Sequence, residues 1–164
     1  MEKKQLVTYF DFAENDYTFF KAAYENGFVA NSMAAIAQGI CEKYLKYLIE
    51  LDSDCRKPQY ESVMKTHNIR KLLKYIKQEV PGFCCDEGSI KKVDGYYFNT
   101  RYPGDESITV DKEDLEECME AVDACRESVL TYLKVRKPEY VGEEENGQPS
   151  EEFVRENRNR KRGR

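Results

Sequence analysis

Residues 28–51 read FVANSMAAIAQGICEKYLKYLIEL, and this stretch decides the fold. Val29, Met33, Ile36, Ile40, Tyr44, Tyr47 and Leu51 recur at steps of three and four, so they share one face of a single long helix. Ala30, Ala34, Ala35, Ala37 and Gly39 are small enough to let neighbouring helices approach closely. A helix built this way belongs in the middle of a bundle.

The flanking sequence supplies its neighbours. Upstream, Leu6, Phe10, Ala13, Tyr17, Phe20 and Tyr24 form one aromatic-rich helical stripe, which Gly27 ends or kinks. Downstream, a loop carries Arg56-Lys57-Pro58. Thr66 then offers its hydroxyl as N-cap of a third helix with Ile69, Leu72, Leu73, Ile76 and Val80, stopped by Pro81-Gly82. The stretch 83–110 is irregular, with a short helix expected near Ser89 to Phe98 and a turn at Pro103-Gly104. The last helix begins at Asp111, with Asp114 completing a capping box. It repeats Leu115, Cys118, Val122, Cys125, Val129 and Tyr132 up to Pro138, which makes both cysteines core residues. Four long helices, one short one and no β alternation predict an all-α fold, an antiparallel up-and-down helical bundle over residues 1–138.

Composition narrows the function classes. The chain has 164 residues, 40% hydrophobic and 35% charged, with no apolar run approaching a membrane span. A domain of this length buries roughly 70% of its unfolded surface, enough for a core without a cofactor or disulfide frame. No apolar leader follows Met1, so the cytoplasm is the expected address and no membrane partner is expected. The six cysteines lack CxxC spacing and His67 is the single histidine. They read as reduced thiols, and no metal site is expected. The net charge of −5 hides a bipolar end: residues 139–154 carry six Glu and no basic residue, and residues 155–164 carry six Arg or Lys against one Glu. Residues 139–164 read as a disordered tail, acidic then basic, whose last ten residues either bind nucleic acid by counterion release or only solubilise the chain.

Glu42-Lys43-Tyr44-Leu45-Lys46 on the second helix, Thr66-His67-Asn68-Ile69-Arg70-Lys71-Leu72 at the third, and Thr100-Arg101-Tyr102-Pro103-Gly104-Asp105 before the last follow in an order that resembles the HEPN domain over roughly residues 7–135. The resemblance implies a compact helical bundle that pairs into a symmetric homodimer. It also implies functions from nucleotide binding to metal-independent RNA cleavage, beside a small nucleotidyltransferase or in toxin–antitoxin and other defence systems. The cleaving members carry an Arg followed after four to six residues by a His. Here the nearest upstream arginine, Arg56, is separated from His67 by ten residues that include Pro58, so that motif does not carry over.

Each candidate residue has two readings. His67 is either an acid–base residue beside the backbone N–H groups of a helix start, where a phosphate can bind, or a capping and surface residue. Arg101 either grips phosphate with its planar fork, with Tyr102 stacking on a base, or pairs with Asp105 or Glu106 while Tyr102 fills a gap between helices. Lys43, Lys46, Arg70 and Lys71 make either a basic edge around a nucleotide or a solvated surface, with Glu42 and Lys46 an ordinary i,i+4 pair. Three functions follow: a binder of nucleotide or RNA phosphate through Arg101, Tyr102, His67, Arg70 and Lys43; an RNase toxin using His67 at a dimer groove; or an interaction module for a partner such as a nucleotidyltransferase.

Overall fold

The computed structural model describes residues 5–136. The described residues contain helices and no strand: α1 (Tyr9–Glu25), α2 (Asn31–Asp52), α3 (Tyr60–Lys65), α4 (Ile69–Glu79), α5 (Glu87–Ile90), a 3-10 turn (Lys91–Val93), α6 (Tyr96–Asn99) and α7 (Lys112–Arg136). The expected end of the domain at residue 138 and the tail 139–164 lie outside the described residues.

The expected all-α bundle forms around α2. From Met33 to Leu51 this helix buries fourteen residues, among them Ile40, Tyr44, Leu45, Tyr47, Leu48 and Ile49, against α1, α4, α6 and α7. It begins at Asn31 rather than Phe28, and Phe28 and Val29 are exposed. The Asn31 side chain accepts from the Val110 N–H at 2.8 Å and donates to the Ile108 carbonyl at 2.8 Å, which ties the start of α2 to the approach to α7.

Local chemistry sets the helix ends. Thr8 and Asp11 form a reciprocal capping box on α1. At the other end Gly27, at φ +75°, donates to the Tyr24 carbonyl and Phe28 donates to the Ala23 carbonyl, a Schellman closure that needs the left-handed backbone only glycine adopts freely. The expected capping box at α7 is present, with Asp111 and Asp114 exchanging backbone-to-carboxylate bonds at 2.9 and 3.0 Å. Cys118, Cys125 and their α2 neighbour Cys41 are buried, and burial pushes the Cys118 thiol up to about 12. No described helix is long and apolar enough to cross a membrane.

Three sequence expectations change. The loop after α2 contains the six-residue α3, too short for a periodic signal and preceded by Pro58. Asn68, not Thr66, caps α4: its Oδ1 accepts from the Lys71 N–H at 2.8 Å, while the Thr66 hydroxyl accepts from the Asn68 N–H. The short helix expected near Ser89–Phe98 is broken into α5, the 3-10 turn and α6. The break falls where Asp94 accepts from the Ile69 N–H at 2.8 Å and Gly95 turns left-handed at φ +102°.

α4 also runs differently from a strict up-and-down alternation. Its approach, at His67, lies beside Gln38 and Glu42 in the middle of α2. Its end, at Glu79, pairs with Lys57 beyond the C-terminus of α2. The chain from Lys57 to His67, carrying α3, makes the return journey, and this arrangement brings His67 against α2.

A basic and aromatic candidate site between α2, α4 and α6

The site is built on the side of α2 that faces α4 and α6. Gln38, Glu42 and Lys46 stand at i, i+4 and i+8 and are 1%, 8% and 4% exposed. A polar stripe so deeply buried must be satisfied internally, and each member is. Gln38 Nε2 donates to the His67 carbonyl at 2.6 Å, and its Oε1 accepts from the Tyr97 N–H at 2.6 Å. Lys46 Nζ donates to Glu42 Oε1 at 2.7 Å. The Glu42 carboxylate in turn meets His67 Nδ1, at 3.2 Å from Oε1 and 3.1 Å from Oε2.

The polar stripe fixes the upper layer. The His67 imidazole stacks on Tyr97 with ring centroids 3.9 Å apart and planes 7° from parallel, and Phe98 meets it edge-on at 6.3 Å. The same Tyr97 ring carries the Arg101 guanidinium, 4.6 Å from its centroid, and Tyr102 approaches that guanidinium at 5.9 Å. Phe98, Arg101 and Tyr102 are exposed. Among the described residues no carboxylate pairs with Arg101, so the expected alternative of a bond to Asp105 or Glu106 does not form. A guanidinium held only by aromatic faces keeps its five N–H donors for a ligand.

The structure thus brings His67, Arg101 and Tyr102 together, and it places the other two candidates elsewhere. Lys43 points to α1, where Nζ pairs with Asp16 at 2.9 Å. Arg70 lies at the start of α4 with Nε 3.2 Å from Asp94. The expected phosphate cradle at that helix start is largely closed, because Asp94 and Asn68 accept from the Ile69 and Lys71 N–H groups. Glu42 and Lys46 do pair, but in the interior rather than on the surface.

Sequence reasoning missed Gln38 and Tyr97. Tyr97 sits in an irregular stretch where periodicity says nothing. Gln38 had a signal: three polar residues at four-residue steps on the most apolar helix of the chain share one face, and here that face is packed.

The structure is a small all-α bundle in which a buried polar stripe lies beneath a layer of histidine, arginine and aromatic rings. The HEPN domain family model matches residues 8–132, most of the chain, and the chain belongs to that family. No curated protein and no solved structure matches it.

Proposed function

We propose that this HEPN-family protein binds a nucleotide or the phosphate of an RNA on the face formed by His67, Tyr97, Arg101 and Tyr102. The observation that supports this reading is the Arg101 guanidinium, exposed, oriented by two tyrosine rings and left without an acidic partner among the described residues. Its planar fork matches a phosphate, and the neighbouring exposed rings of Phe98 and Tyr102 match the face of a base. Charge-assisted hydrogen bonds contribute about 1.5–3 kcal/mol each. Arg101→Ala is therefore expected to weaken nucleotide binding tenfold or more in a calorimetric titration. Equal affinity for the variant and the parent chain would remove the site assignment.

One observation favours a second reading, metal-independent RNA cleavage. Glu42 on His67 Nδ1 is the base-and-orienter arrangement of general acid–base catalysis, on a side chain that is part-exposed. Arg101 or Arg70 would then stabilise charge developing on the phosphorus. Cleavage of single-stranded RNA without added metal, lost in His67→Ala, is the outcome this reading requires. Under either reading the chain works in the cytoplasm as a symmetric homodimer, beside a nucleotidyltransferase partner or within a toxin–antitoxin pair. Sedimentation of the purified chain tests the dimer.

A further inference from the structure

Away from the His67 site, α4 has a sharply divided surface. Its inner side buries Ile69, Leu72, Leu73, Tyr75 and Ile76. Its outer side exposes Arg70, Lys71, Lys74 and Lys77, four cations over two turns with no acidic residue among them. Like charges three and four residues apart destabilise a helix until something neutralises them. The bundle neutralises only the two ends of this ridge: Arg70 Nε lies 3.2 Å from Asp94, and Lys77 Nζ lies 3.9 Å from Glu87. Among the described residues Lys71 and Lys74 have no acidic partner. The ridge is thus a surface that attracts a run of negative charge.

The chain carries such a run, and it leaves the bundle beside this helix. Pro81 and Gly82, directly after α4, line one groove with Tyr132, Val135 and Arg136 at the end of α7. The Phe83 ring meets the Tyr132 ring edge-on at 5.8 Å. The end of α7 therefore lies beside the end of α4. Beyond it, residues 143–152 read EEENGQPSEE, with five Glu and no basic residue. The seven residues from Arg136 to Glu143 reach at most about 25 Å, enough to bring the run to Lys77. A relaxed ten-residue segment spans about 16–19 Å, and the eleven residues of α4 measure about 16 Å. The outer face of α7 is the wrong host for the same run, because Glu113, Glu116, Glu117 and Glu120 are exposed there and repel it.

We infer that the acidic run of residues 143–152 docks on the face of its own α4 that carries Arg70, Lys71, Lys74 and Lys77. The chain then supplies the anion that its basic helix lacks. The contact is made of exposed charges, so it weakens as ionic strength rises. It is independent of whatever the His67 face binds.

The test is zero-length carbodiimide cross-linking of the full chain, which joins a carboxylate to an amine in contact with it, read by peptide mass spectrometry. An equal mixture of ordinary and nitrogen-15-labelled chain separates links within one chain from links between two. Links from Glu143, Glu144, Glu145, Glu151 or Glu152 to Lys71, Lys74 or Lys77 are expected, each within a single label. They should fall at least tenfold at 1 M salt, where the screening length is about 3 Å. In the full chain with those five glutamates changed to Gln, the backbone amide resonances of α4 should move while those of α1 stay in place. Links confined to Lys137 and Lys161 would mean that the run pairs only within its own segment, and they overturn the inference. Links of mixed label place the run on a second copy and overturn it too. So do links that persist undiminished at 1 M salt, and α4 resonances that do not respond to the five substitutions.

Discussion

Two arginines rest on tyrosine rings in this bundle, Arg126 on Tyr17 at 4.7 Å and Arg101 on Tyr97 at 4.6 Å, and they differ in what else holds them. Arg126 gives its fork to Glu14 through bonds of 2.8 and 2.9 Å. The same carboxylate accepts from the Tyr44 hydroxyl, and Tyr17 donates to Asp123 at 2.9 Å. These bonds join three helices, α1, α2 and α7. On the α2–α4–α6 side the acidic partner lies underneath, on His67, and Arg101 has none among the described residues. One contact geometry thus serves cohesion in the first region and presentation in the second. What separates them is the position of the carboxylate, not the arginine.

The largest expected effect comes from the base of the open side. Lys46→Met leaves Glu42 buried without its compensating charge and is expected to cost about 3–5 kcal/mol in chemical denaturation. Adding Glu42→Gln to it should restore much of that loss. If the single substitution were neutral, the buried pair would not underpin the site.

Next is the contrast between the arginines themselves. Arg126→Ala strands Glu14 in a part-buried position and is expected to cost about 2 kcal/mol, whereas Arg101→Ala should change stability by less than about 0.5 kcal/mol while weakening nucleotide binding as described above. Comparable losses from both would erase the distinction between cohesion and presentation.

The smallest effect concerns base. Burial first, then the bond to Asp123, pushes the Tyr17 hydroxyl up to about 12 from its ordinary value of 10. The folded state favours the protonated phenol, so its contribution is fully present below pH 10 and is lost as pH rises from 10 through 12. Tyr17→Phe should reduce the slope of stability against pH in that window, and an unchanged slope would show that this side does not sense the phenol.

The bundle was legible because its long helices bury residues at the spacing that periodicity detects: Phe10, Ala13 and Phe20 on α1, Ile40, Tyr44 and Tyr47 on α2, Leu115, Val122 and Val129 on α7. His67, Arg101 and Tyr102 were legible as chemistry, and the structure gathers them. Lys43 lies three residues from Lys46, a spacing that puts both near one face, but Lys43 pairs with Asp16 on α1 while Lys46 turns inward to Glu42. The pair Glu42–Lys46 reads the same in sequence whether wet or buried. Its burial is decided by α4 and α6, whose placement depends on short, aperiodic segments.

The bonds from Gln38 to His67 and Tyr97 carry one more consequence. α6 is four residues long, and so short a helix does not persist alone in water. Its order is lent by the buried Gln38 amide of α2, by the His67 ring stacked on Tyr97 and by the Tyr96 hydroxyl's bond to Asp114 on α7. The Tyr97 amide should therefore exchange its hydrogen with solvent at the rate at which the face dissolves, slower than its place in a short connecting segment suggests and faster than the amides in the middle of α2. The assembled face has a lifetime of its own, separate from that of the bundle, and a bound ligand would lengthen it.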